Sequence, residues 1–343
     1  MANTYKENKE YFLEINQIKN SKIKALNFDF EFKHFIVFGG KGLNQDTVDT
    51  INKLAKLTRN KELHIGITDR GDLYSLQIDT SIYKIPLMQD EKFIPEGQTT
   101  ENFLVCEFNS ISNFIKKNNF DKILFFSRFR KDIFINLDSL INYLICVPTL
   151  KKKYRYICSE QSTNLLRRYC ISDIFFTMDT DVFLQVKLPY RYKIKNNLLN
   201  WFWYRQPYEI FKNDHQLEQW LWKNIINSQK KELSPNCNFN DYLNYLKNNF
   251  LIISSRSIGF IWTRGGKYNL FNNSRFVPFG KNLFINTNPP SHFLSFNTFL
   301  CKVIRSENSI LLIKIYRIFF FIKQSIVFVL KLPFYLYRKF IKK

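Results

Sequence analysis

The chain has 343 residues, with 51 Lys and Arg against 29 Asp and Glu, a formal charge of +22, 45% hydrophobic content and 17% aromatic content. That much apolar material excludes a disordered polar chain and fills one large α/β domain or two smaller ones, while the charge calls for an anionic partner such as a nucleotide diphosphate, nucleic acid or phospholipid. Six cysteines without a CxxC pair exclude a disulfide framework, and the charged N-terminus has no apolar core of an export signal, which predicts a chain kept in a reducing bacterial cytoplasm or at its inner boundary.

Residues 1–30 are polar and are expected to form a peripheral extension. An α/β domain is expected over 31–270, a loop-rich connection over 271–308 and a basic amphipathic tail over 309–343. The apolar run from His34 to Phe38 closes on Gly39, Gly40 and Gly42, which predicts a strand and a tight loop. Residues 45–57 set Val48, Ile51, Leu54 and Ala55 on one helical face, and 62–68 alternate as the next strand before Asp69 and Asp72. A strand over 81–87, a helix over 101–117 with Phe103, Phe108, Ile111 and Ile115 inward, and a buried strand over 122–127 follow. This alternation predicts a parallel-rich sheet flanked by helices. Beyond it the sequence predicts a helix at 137–144, strands at 154–158 and 174–177, and an aromatic-rich connection over 189–213. Helices at 214–227 and 241–248 and a late strand pair at 250–254 and 258–262 come next, before a Pro-marked loop at 272–291.

The tail from 309 to 343 carries eight Lys and Arg and no acidic residue among many Ile, Phe, Leu and Val. At about 100° per residue, Lys314, Arg317, Lys331, Arg338 and Lys339 fall on one arc with Lys342 and Lys343. The longest uncharged spans, 318–322 and 324–330, are shorter than the roughly 18 to 20 residues that cross a bilayer. These features predict a helix lying on the anionic, cytoplasmic face of a membrane, held there by those basic residues, with Pro333 kinking or dividing it. A terminal helix packed on the protein's own core is the alternative.

Four constellations carry candidate chemistry. Gly39 to Gly42 ends the first strand, either as a place where free backbone N–H groups approach a nucleotide's phosphates or as a glycine-rich turn without a ligand. Arg128, Arg130 and Asp132 follow the buried strand, and suit either a guanidinium clamp on a diphosphate with Asp132 holding a bridging divalent metal, or an ordinary surface salt-bridge cluster. Asp173 precedes an apolar strand and is a candidate general base, whereas Asp179 reads as a helix cap within an Asp179–Asp181 pair. Glu218 lies one turn before Trp222, and Trp220 and Trp222 suit either sugar stacking or core packing. The histidines are dispersed, so no zinc centre is expected, and Ser or Cys nucleophile motifs are missing.

In this order, over roughly residues 33–262, the segments resemble the WavE family of lipopolysaccharide-synthesis proteins. The likeness is carried by FIVFGGKG, by Arg130 and Asp132 after a buried strand, by SDIFF, by the Glu218–Trp222 helix and by FLIISSRSIGFIW. The resemblance implies a nucleotide-diphospho-sugar transferase-like (GT-A-type) mixed sheet flanked by helices, a sugar-nucleotide donor and a cell-envelope glycan acceptor. In that setting Gly39, Gly40 and Asp69 would hold the nucleotide, and Arg128, Arg130 and an Asp132-bound Mg2+ or Mn2+ would meet the leaving diphosphate. Asp173 or Glu218 would accept the proton of a lipid-linked oligosaccharide hydroxyl. The family's Arg-Gln pair reads Val105-Cys106 here, and its R-T-D reads Arg130-Lys131-Asp132. The alternatives are therefore an inactive envelope-assembly protein of the same fold, or a nucleic-acid-binding protein, which the concentration of charge in the tail disfavours.

Overall fold

The computed structural model describes residues 33–190, 217–262 and 309–340, apart from short interruptions of which 89–99 is the longest. The expected extension over 1–30, the connection over 271–308, most of the 189–213 segment, and Lys41, Gly42 and Asp72 lie outside the described residues.

In chain order the elements are β1 His34–Gly39, α1 Gln45–Thr58, β2 Leu63–Asp69, β3 Tyr83–Pro86, α2 Thr100–Lys117 and β4 Phe125–Arg130. Next come β5 Ile133–Ile135, α3 Leu137–Lys151, β6 Tyr156–Ser159, β7 Phe175–Asp179 and α4 Thr180–Leu184. The chain continues with α5 Leu217–Ser228, α6 Phe239–Asn249, β8 Phe250–Ile253, β9 Phe260–Trp262 and α7 Ser309–Phe340. Seven strands form one sheet in the order β3-β2-β1-β4-β7-β6-β8, and β5 pairs with β9 in a small second sheet. Every strand of the main sheet is parallel to the others except β7, which runs against both its neighbours.

Successive strand side chains point to opposite faces, so the uninterrupted apolar run of β1 feeds two cores at once. Phe35 and Val37 join Phe126, Phe176, Tyr156 and Trp222 under α2, α5 and α6. Ile36 and Phe38 join Ile67, Phe129 and Phe175 against α1, α3 and the small sheet. Each such side chain stabilises the fold by about 1.5–3 kcal/mol when fully buried. Asn136 caps α3 by accepting from the Ser139 N–H, and the helix runs past its expected end because Val147 is buried alongside Leu140, Ile141 and Leu144. Asn238 caps α6 in the same way, accepting from the N–H groups of Asn240 and Asp241.

Three expectations are corrected. β4 does not stop at Ser127: its pairing with β1 continues to Gly39 opposite Arg130, so both arginines belong to the strand. The two late strands do not pair with each other, since β8 joins the main sheet beside β6 and β9 joins β5. Gly259, at φ 89°, turns the chain between them where a Cβ would sit 2.5 Å from the Asn136 carbonyl oxygen. Pro333 does not divide the tail, because α7 runs through it. The first turns of α7 lie on the domain, with Ile313 fully buried and Arg317 over the Phe239 ring at 3.8 Å. Among the described residues no helix is long and apolar enough to cross a membrane.

Candidate functional site

From β1 the chain moves outward to β2 and β3, then returns on the other side as β4, so the topological switch point lies between β1 and β4. Ligands of open α/β sheets bind outside the strand carboxyl ends at such a point. Gly39 and Arg130 are partners in register there, and the Lys131 N–H donates to the Gly39 carbonyl at 2.8 Å. Because β7 is reversed, its start reaches the same rim. The Arg130 N–H donates to the Ile174 carbonyl at 2.9 Å, which brings Asp173 alongside.

Two residues apart on β4, Arg128 and Arg130 share the face that α2 covers. Arg128 is 1% exposed. Its Nε donates to Glu107 Oε1 at 2.5 Å and its Nη1 to the Asp173 carbonyl at 2.7 Å. Glu107, fully buried on α2, also accepts from the Gly40 N–H at 2.7 Å, and Arg70 Nη2 lies 3.7 Å from the same oxygen. Burial pushes the Glu107 carboxyl up, but Arg128, then Arg70, and the hydrogen bonds from Arg128 and Gly40 outweigh it and hold the group below its ordinary value. Gly40 has φ 96°, and a Cβ on Gly39 would collide with the Glu107 carboxylate.

At Gly40 this arrangement departs from the expectation of free N–H groups, while Lys41 and Gly42 of the same loop lie outside the described residues. The Gly40 N–H and Arg128 are engaged by a carboxylate of the protein itself. Sequence reasoning missed Glu107, although a signal existed: it lies three residues after Leu104 and four before Ile111, on the helix's buried stripe, where a lone carboxylate calls for a cationic partner.

Arg130 is the more open guanidinium, its side chain 22% exposed. Nε and Nη2 donate to the two oxygens of Asp132 at 2.9 and 3.0 Å, and Nη1 reaches Asp173 Oδ2 at 3.5 Å. Burial alone would lower the Arg130 pKa, yet Asp132 and Asp173, with a smaller share from Glu218 on the first turn of α5, raise it above its ordinary value. Arg130 is therefore a fixed cation ringed by Asp132, Asp173 and Glu218.

Asp132 is fully buried and offers both oxygens to Arg130. Among the described residues no three or more His, Cys, Asp and Glu side chains gather into a metal-holding group. Both Asp132 oxygens are engaged by Arg130, so a divalent ion at Asp132 would compete with that guanidinium.

The segment before β7 is fastened from several sides. Trp222 Nε1 donates to the Ser172 carbonyl at 3.0 Å, and the Ser172 N–H donates to Thr163 Oγ1 at 3.0 Å. Trp220 and Trp222 are buried, the latter among Tyr156, Phe176 and Phe250, so they pack the core and do not offer a face to a sugar. Asp69 ends β2 one strand from Gly39 and accepts from the Gly71 N–H at 2.8 Å. Asp179 lies at the far end of β7, 3.2 Å from Lys151, so the Asp179–Asp181 pair belongs to the opposite edge of the sheet. Of the expected membrane contacts, Lys314 is half-buried and Arg317 faces the domain, while the side chains of Lys331, Arg338 and Lys339 lie outside the described set.

The rim thus brings Gly39, Gly40, Arg128, Arg130, Asp132, Asp173 and Glu218 together, with Asp69 one strand away. No protein-family model matches the chain, and no curated protein matches it at a significant level.

Proposed function

We propose that the chain is a glycosyltransferase of cell-envelope polysaccharide synthesis, lipopolysaccharide or capsule, that moves a sugar from a nucleotide diphosphate to a hydroxyl of a lipid-linked glycan. The observation that carries this reading is Arg130, a partly open guanidinium held at the β1/β4 switch point by Asp132 with Asp173 and Glu218 around it. Negative charge builds on the departing diphosphate, and a cation already oriented by a two-point carboxylate bond stabilises it without reorganising. Nη1, held at 3.5 Å by Asp173, is the arm with most to gain from a phosphate oxygen. Asp173 or Glu218 then takes the acceptor hydroxyl's proton. The GT-A-type assignment, the sugar-nucleotide donor and the envelope acceptor rest on the WavE resemblance, and the place of action that suits them is the inner face of the cytoplasmic membrane.

A second reading, an envelope-assembly protein of this fold without transfer activity, is favoured by Glu107 occupying the Gly40 N–H and Arg128. One experiment separates them: thermal unfolding with UDP, GDP, ADP and dTDP. At a hundredfold excess over Kd, binding adds about 2.7 kcal/mol, a rise of several degrees for a chain of this size. The transferase reading expects one nucleotide to give this rise and Arg130→Gln to abolish it with the circular dichroism spectrum kept. Absence of any rise in the wild type would favour the inactive protein.

A further inference from the structure

The outer side of α7 carries an apolar stripe that the domain does not cover. Leu311, Ile315, Ile318, Ile322 and Val329 follow one another at spacings of four, three, four and seven residues, which puts them within an arc of about 60°. They are 40% to 65% exposed, and Phe319 and Ile326, equally open, widen the stripe on one side. Ile313 and Arg317 lie on the opposite side of the helix and face the protein. The basic arc expected from the sequence to touch the membrane therefore includes a residue turned inward: Arg317 lies on Phe239, and burial followed by the charge of Arg168 lowers its pKa to about 10.

We propose that this stripe, rather than the basic arc, is the face that enters the acyl boundary of an anionic bilayer, with α7 lying flat and Arg317 joining it to the domain. The inference deepens the membrane part of the reading above and rests on it. Three observations favour lipid as the occupant. The 309–343 tail has eight basic and no acidic residues, and across a helix about 10 Å wide that charge stays within about a Debye length of an anionic leaflet, which attracts it. Positions 314 and 323, both Lys, fall on either border of the stripe, as the basic positions of an interfacial helix do. The stripe with its added Phe319 and Ile326 is also broader than the narrow seam of a two-helix coil.

The joint also leads to the rim. Arg317 covers Phe239, the Cys237 carbonyl two residues earlier accepts from Arg168, and the Arg168 carbonyl accepts from Gln219, the neighbour of Glu218. The contact with α7 is thus connected through Arg168 to α5, whose first turn carries Glu218.

The test is vesicle flotation of the full chain and of the variant carrying Ile318→Glu with Ile322→Glu, with light scattering of both proteins. The wild type should float with phosphatidylcholine vesicles holding about 30 mol% phosphatidylglycerol and stay behind with pure phosphatidylcholine. In the variant, bound protein should fall at least about tenfold, while Ile318→Ser with Ile322→Ser falls less. Equal flotation of wild type and the Glu variant would overturn the proposal. So would a wild type that ignores anionic vesicles, whether as a monomer or as a dimer that the Glu variant dissociates. Nucleotide-induced stabilisation in the same variants should be unchanged, so failure here leaves the reading of the rim standing on its own test.

Discussion

Removing Glu107 tests the electrostatic design of the rim. Glu107→Ala leaves the Arg128 guanidinium, 1% exposed, without its counter-charge, and leaves the Gly40 N–H without its acceptor. Breaking a buried ion pair from one side costs about 3–5 kcal/mol, because the remaining charge stays desolvated. Arg70, 3.7 Å from the same carboxylate, would then face Arg128 with nothing between them. At about 2–4 °C per kcal/mol, the melting temperature at pH 7 should fall on the order of 10 °C. Replacing both partners, Glu107→Leu with Arg128→Met, should recover much of this, since a dry apolar pair often matches a buried ionic one. The loss should also depend on pH with a definite sign. A carboxyl held below its ordinary value of 4.5 contributes its full stability above that value and loses it as pH falls through the lower, folded one. The gap between wild type and Glu107→Ala should therefore be complete at pH 6 to 7 and narrow below about 4.5. A single variant within about 0.5 kcal/mol of wild type at pH 7, or a double variant worse than the single, would refute the reasoning.

Two further variants probe neighbouring features. His34 Nε2 sits 2.8 Å from Ser127 Oγ at the start of β1, and burial lowers its pKa from 6.5 to about 3. Below pH 6.5 the unfolded chain takes up a proton that the folded one refuses, so stability should fall by up to about 1.4 kcal/mol per pH unit between pH 6 and 4. His34→Gln should flatten that slope in urea midpoints, and an unchanged slope would assign it to other groups. Gly39→Ala should destabilise the wild type by about 1–3 kcal/mol through collision with Glu107, and much less in a Glu107→Ala background. Additive losses in chemical denaturation would show that the collision is not the cause.

Much of the architecture was legible because doubly buried strands read as apolar runs and the covering helices as amphipathic periods. The three-residue strands β5 and β9 were missed or misassigned, since so short a segment holds no period and their partners lie far apart in the chain. The reach of β4 was underestimated for a chemical reason: its last residues include two arginines, which end an apolar reading although the backbone pairing continues. The reversal of β7 left no local trace, yet it brings Asp173 to the rim and sends Asp179 to the other edge. Gly39, Arg130, Asp132 and Asp173 were named from strand ends and charge, and the fold gathers them. Glu107 was passed over because an acid in a helix reads as solvated until its partner, 21 residues on, is known to face it. Arg317 was grouped with the lysines by charge and wheel angle, whereas Phe239 and Ile313 fix which side of α7 meets the domain.

The central claim is that a nucleotide diphosphate binds where β1 and β4 diverge. Amide hydrogen exchange, with and without the nucleotide that gives the largest thermal shift, tests this most directly. The account predicts slowed exchange at residues 39–44, 69–71, 128–132 and 172–174, and loss of that pattern in Arg130→Gln. Protection confined to the opposite edge around 179–184, or spread evenly with no focus at the rim, would contradict it.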